Sequence, residues 1–128
     1  KVDYPVVGDS DLKVAKLYNM LPAEETGSAE QRTAADNATV RAVYIVGPDK
    51  KIRAMLLYPM SSGRNFEEVL RLLDSVQLTE SKGVATPVNW QSGDDVIIPP
   101  SVSDKEAKAR FPQGFTTLRP YLRTVKID

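Results

Sequence analysis

The sequence predicts an α/β chain that runs strand, helix, hairpin, helix and ends in an extended, proline-broken arm. Three observations predict it. Residues 40–46 (VRAVYIV) and 52–58 (IRAMLLY) are apolar runs rich in β-branched residues, and only a short Gly-Pro-Asp-Lys connection separates them, which reads as an antiparallel hairpin. Behind them, Phe66, Val69, Leu70, Leu73 and Val76 recur at helical spacing. After Leu78 the character changes, because Pro87, Pro99, Pro100, Pro112 and Pro120 cut the chain into short pieces.

Taken in order, residues 4–7 read as a short strand ending at Gly8. Asp9 and Ser10 then offer side-chain oxygens to the free amides of a helix expected over residues 11–21. Leu12, Val14, Ala15, Leu17, Tyr18 and Leu21 give that helix a broad apolar face, and Pro22 stops it because proline has no N–H for the helical ladder. Residues 23–38, rich in Glu, Thr, Ser, Ala and Gln, read as an exposed loop. Residues 40–46 are apolar on both faces apart from Arg41, as in a strand covered on both sides. Asn65 with Glu68 forms a capping-box-like start to the strongest helix, and Glu67 and Arg71 are expected to pair on its outer face. In the arm, Ser103 and Glu106 cap a helix over residues 103–111. Val84, Trp90, Val96, Ile97, Ile98 and Phe111 are too few for a core of their own, so they are expected to bury against the first domain or a second subunit. The domain division that follows is 1–79 and 80–128.

Composition narrows the function. The 128 residues, 41% of them hydrophobic, suffice for one domain of ordinary size plus an arm. Lysine plus arginine equals aspartate plus glutamate at 17 each, so no net field favours nucleic acid or an anionic membrane, and neither is expected as a partner. No apolar run approaches the roughly 20 residues that cross a bilayer, and a cytoplasmic location is expected. The chain contains no cysteine and no histidine, which excludes disulfides, histidine triads and histidine-zinc hydrolases within it; no metal or cofactor is expected. Asp94 and Asp95 are adjacent, and neighbours on a strand point to opposite faces, so they read as a solvated turn and not as an acid/base pair. The Asn37-Ala38-Thr39 triplet matches a glycosylation acceptor but is discounted. Trp90, Tyr44, Tyr58 and Tyr121 read as core or interface aromatics.

Arg41 is the residue that does not fit its strand. A charge on a face shared with Val43 and Ile45 is costly unless it is hydrogen-bonded, paired or placed at a wet strand end. From the residues alone it is either half of a structural ion pair or a site cation. Arg64, in the Ser-Gly-Arg-Asn loop, is either a loop anchor or a pocket residue, and Asp49 reads as a turn residue bonding to its own backbone.

The stretches VRAVYIVGPDKKIRAMLLYPMSSGRN, NFEEVLRLLDSVQLT, VATPVNWQSGDDVIIPP and PYLR closely resemble the peroxiredoxins, and the long C-terminal arm resembles that of the one-cysteine class. The resemblance implies a thioredoxin-like fold, of which the hairpin and following helix form the end. It implies thiol-dependent reduction of hydrogen peroxide and organic hydroperoxides, with Arg41 lying against the peroxidatic thiol, lowering its pKa and orienting peroxide oxygens. Arg64 is implied as a supporting, substrate-binding member of the same pocket. The nucleophile itself is missing, so the chain is expected to be the C-terminal portion of a longer protein, peroxidase-dead alone, whose cysteine-bearing half precedes Lys1. Its implied partners are a hydroperoxide, that N-terminal half and a second copy joined through the arm. In some mammalian relatives an aspartate placed like Asp49 is assigned to a phospholipase activity together with a serine and a histidine; no histidine is present here, and the activity is not carried over. The alternative reading is a non-catalytic thioredoxin-like module that dimerises or binds a protein.

Overall fold

The structure, a computed structural model, describes residues 2–21, 33 and 39–127. The helix stop at Pro22, the loop over residues 23–38 apart from residue 33, and most of the glycosylation triplet lie outside these. By contacts the chain divides into two compact units, Lys1–Arg64 and Asn65–Asp128. The helix over Phe66–Lys82, assigned from sequence to the first domain, makes its described contacts with the segment that follows it.

In the first unit, residues 2–8 form no strand: among the described residues the hairpin sheet has two strands, over 41–46 and 52–58, and neither pairs with them. A strand needs a ladder partner, and without one Tyr4 stays 72% exposed. Helix α1 spans Lys13–Leu17, shorter than the apolar pattern predicts. Leu12 occupies its N-cap in a left-handed conformation, φ 56°, and offers no side-chain oxygen. Asp9 reaches over it instead, accepting hydrogen bonds from the amides of Val14 (2.9 Å) and Ala15 (2.8 Å). The helix closes at Asn19, φ 55°, with the Met20 amide donating to the Ala15 carbonyl at 2.8 Å.

Strands β1 (Arg41–Val46) and β2 (Ile52–Tyr58) pair antiparallel, Arg41 opposite Tyr58 and Ile45 opposite Ala54, with a bulge at Val46. Side chains alternate, so Arg41, Val43, Ile45, Ala54, Leu56 and Tyr58 share one face. Tyr44, Met55, Leu57 and Ile52 lie on the other. There the Tyr44 hydroxyl donates to the Tyr18 carbonyl at 2.5 Å, and the two rings meet edge to face at 5.1 Å.

The second unit opens with α2 (Phe66–Lys82), capped by Asn65 Oδ1 accepting from the amides of Glu67 (3.0 Å) and Glu68 (3.3 Å). The apolar stripe of the sequence is not its main packed face: Phe66 is 68% and Leu70 60% exposed. The arm takes a more polar face instead, through a Ser75–Thr86 hydroxyl bond of 2.7 Å and an Arg71 bond to the Trp90 carbonyl of 3.3 Å. Arg71 accordingly pairs with Glu68, three residues back, and not with Glu67. The helix ends at Gly83 in the left-handed region (φ 60°), and Arg110 donates to the carbonyls of Lys82 (2.5 Å) and Gly83 (3.1 Å).

Beyond α2, strands β3 (Val96–Ile98), β4 (Thr116–Arg119) and β5 (Leu122–Val125) form a sheet in the order β3-β5-β4, with α3 (Asp104–Arg110) capped by Ser103 at 3.2 Å. Here the structure corrects the expectation that the arm's apolar residues need another body to cover them. Val84, Trp90, Val96, Ile98 and Phe111 bury against one another and against Val102, Ala107 and Val125, with Leu78 of α2, Phe115 and Ile127 at the edge. They suffice because a short sheet and a helix let residues from six separate pieces converge on one point. Ile97 alternates outward and is half-buried. Among the described residues, no helix is long and apolar enough to cross a membrane.

Candidate functional site

Arg41 begins β1, so its side chain stands at one end of the hairpin, on the face it shares with Val43 and Ile45. It is half-buried. Among the described residues it makes neither a hydrogen bond nor an ion pair. Its nearest cross-strand neighbour is Tyr58, directly opposite, with Cβ atoms about 5 Å apart by the geometry of such pairs. Tyr58 is also half-buried and likewise has no hydrogen-bond partner among the described residues. Tyr58 was read from the sequence as a packing aromatic; the register of the hairpin is what sets it beside Arg41.

Arg64 lies in the exposed loop between β2 and α2, where the one described turn bond runs from the Ser62 amide to the Pro59 carbonyl at 2.9 Å. No described interaction fixes its side chain beside Arg41. Asp49 behaves as a turn residue: its carboxylate accepts from the Lys51 amide at 3.3 Å and pairs with Arg53 at 2.9 Å. Hydrogen bonding from Arg53 holds its pKa below the usual aspartate value. Asp94 accepts from the Gln91 amide at 2.9 Å in a turn, and its carbonyl takes the Trp90 indole N–H at 3.2 Å. No cluster of acidic, histidine or cysteine side chains among the described residues could hold a metal.

Two further cations are held structurally, Arg123 in a way the sequence did not disclose and Arg71 by a partner other than the one expected. Arg123, 5% exposed, donates to Asp104 (2.7 Å) and to the carbonyls of Pro99 (3.2 Å) and Val102 (2.5 Å). Its guanidinium also lies 5.9 Å from the centre of the Phe115 ring. Arg71 forms a two-point bond with Glu68, at 2.6 and 2.9 Å, and that hydrogen bonding holds the Glu68 pKa down. Arg41 differs from both: it is half-buried, and among the described residues its fork of donors meets no acceptor. A groove of about 470 Å³ lies on the opposite face of the hairpin, lined by Leu17, Tyr18, Tyr44, Met55 and Leu57 among others, and does not include Arg41.

A hairpin followed along the chain by a capped helix is how a thioredoxin-like fold ends, and the solved structures that this chain resembles over nearly its whole length are peroxiredoxins. Residues 75–114 match the family profile described as the C-terminal domain of 1-Cys peroxiredoxin. The chain belongs to the one-cysteine peroxiredoxins, whose C-terminal portion it matches along nearly all of its length. It is 50% identical over 125 residues to a mitochondrial peroxiredoxin of Saccharomyces cerevisiae, covering 98% of this chain and 46% of that protein. A one-cysteine peroxiredoxin of Dictyostelium discoideum is 48% identical over 124 residues, covering 96% and 47% respectively. A solved structure of a yeast mitochondrial one-cysteine peroxiredoxin, described for its thiol resolving mechanism via the glutathione and thioredoxin systems, superposes with a TM-score of 0.86 at 46% identity. That superposition covers 99% of this chain and 58% of that one. The chain spans about half the length of these relatives.

Proposed function

We propose that this chain is the C-terminal portion of a one-cysteine peroxiredoxin that reduces hydrogen peroxide and organic hydroperoxides, with the attacking cysteine supplied from outside these 128 residues. Its share of the reaction is scaffold, arginine charge and dimer contacts. The observation that carries the reading is Arg41: a half-buried guanidinium at the end of an apolar sheet, without a carboxylate among the described residues to neutralise it. Such a group favours a thiolate over a thiol and supplies donors to peroxide oxygens. Arg64 serves as a second, outer cation of the same pocket. The division at residues 79 and 80 separates the catalytic domain's end from the arm, whose exposed Val88, Leu118 and Tyr121 are the surface through which two copies join. The cytoplasm is the proposed location.

The test uses the longer, cysteine-bearing protein. Arg41→Ala is expected to lower the second-order rate of thiol oxidation by peroxide about a hundredfold or more, the scale on which loss of one donor to an oxygen gaining charge acts. An unchanged rate would remove Arg41 from the site. The 128-residue chain alone is expected to turn over no hydroperoxide, and measurable turnover by it would overturn the proposed division of labour. A second reading, a non-catalytic interaction module, draws on the exposed Met55, Leu57 and Val46 of the hairpin. It predicts that the isolated chain captures a protein partner and that the cysteine-bearing protein is indifferent to loss of Arg41.

A further inference from the structure

Arg41 does not stand alone at its sheet end. The register places Tyr58 directly opposite, so the two side chains leave the same face side by side. Both are half-buried and neither meets a protein acceptor or donor among the described residues. Elsewhere in the chain a phenol is put to structural use: Tyr44, on the opposite face, spends its hydroxyl on the Tyr18 carbonyl. Among the described residues the Tyr58 hydroxyl has no such employment, and it sits directly across the hairpin from Arg41.

A hydroperoxide presents two oxygens with different demands. The thiolate attacks the terminal oxygen; a sulfur–oxygen bond forms, the oxygen–oxygen bond breaks, and the electron pair leaves on the inner oxygen as an alkoxide, which then takes a proton from water. Sulfur is oxidised to sulfenic acid and the peroxide is reduced to an alcohol. A phenol is a neutral O–H donor that can aim at an oxygen gaining negative charge. We infer that Tyr58 is a further substrate-contacting residue of the hydroperoxide site, its hydroxyl donating to the departing oxygen while Arg41 holds the thiolate and the attacked end. The inference rests on the peroxidase reading above and goes beyond it in assigning a role to a residue the sequence marks only as packing.

The experiment compares Tyr58→Phe and Arg41→Lys in the cysteine-bearing protein, with tert-butyl hydroperoxide and peracetic acid as oxidants. An alkoxide is a poor leaving group that needs a donor, whereas acetate leaves without one. Tyr58→Phe is expected to slow oxidation by tert-butyl hydroperoxide about tenfold or more and to leave peracetic acid within about twofold. The ratio between the two oxidants is independent of how much protein is folded. Equal slowing with both oxidants would reduce Tyr58 to a packing residue. No slowing with either, while Arg41→Lys is impaired, would overturn the role of Tyr58 and leave that of Arg41 standing. Indifference of both variants would remove the whole site.

Discussion

Arg41 and Arg123 are two solutions to the same problem, a guanidinium placed among apolar side chains. Arg123 is fully employed, bonding one carboxylate and two backbone carbonyls, so its burial is structural. Replacing it with Met leaves the carbonyls of Pro99 and Val102 without that donor and should destabilise the second unit by about 2–4 kcal/mol. A thermal or urea unfolding curve for Arg123→Met that overlays the parent would show the network to be idle. Among the described residues Arg41 has no comparable employment, and in the proposed reaction its charge serves the sulfur and the peroxide oxygens. This contrast was not available in the sequence. Both are arginines flanked by β-branched or aliphatic residues, and only the register and the path of the β3–α3 connection give one of them acceptors.

At the scale of elements, the N-cap residues Asn65 and Ser103 were read correctly because capping is local. Asn65 and Ser103 accept amide bonds from their own first turns, as a side-chain oxygen before a helix does wherever the chain goes next. Asn65→Ala should therefore cost about 1 kcal/mol, measured by unfolding, with the loss concentrated in the exchange protection of the first turn of α2. Gly83→Ala should cost at least about 1 kcal/mol, because φ is 60° and an added Cβ would lie 3.0 Å from the Arg110 guanidinium. An Ala variant as stable as the parent would mean that Arg110 moves away freely. Elements that depend on partners were misread. Residues 4–7 have the composition of a strand but no ladder in the described structure, and α2 packs by its Arg71, Ser75 and Leu78 side while Phe66 and Leu70 stay exposed.

On the scale of the whole molecule, the two units differ in what holds them. The second has a core of its own, and Ile98→Ala within it should cost about 2–5 kcal/mol, the range for a large-to-small change in a packed site. Urea unfolding that moved by less than half a kilocalorie, roughly the scatter of surface changes, would show that this core is not what folds the unit. The first has a paired hairpin whose Val46, Met55 and Leu57 remain exposed. Amide exchange should accordingly be slowest in β3, β5 and α3. The response to pH is set by carboxylates. Hydrogen bonds from Lys13, Arg53 and Arg71 lower the pKa values of Asp11, Asp49 and Glu68 respectively. A depressed folded-state pKa contributes stability that is present above the unfolded value, about 4, and is lost as pH falls through the folded one. These groups are exposed, so the loss is gradual and small. With no histidine in the chain, the unfolding midpoint should stay level from about pH 8 to pH 5 and decline only below. A step between pH 7 and pH 6 would contradict that account.

The sequence by itself determined the family, the hairpin, the two main caps and the absence of a cysteine from these residues. All of these are written in neighbouring residues, or in a residue type that is simply missing. Tertiary structure decided which arginine is paired, which face of α2 is used, that the arm closes over its own core, and that Tyr58 stands beside Arg41. Each of those depends on which distant segment supplies an acceptor or a neighbour, and cross-strand and cross-helix contacts leave no local mark on the chain.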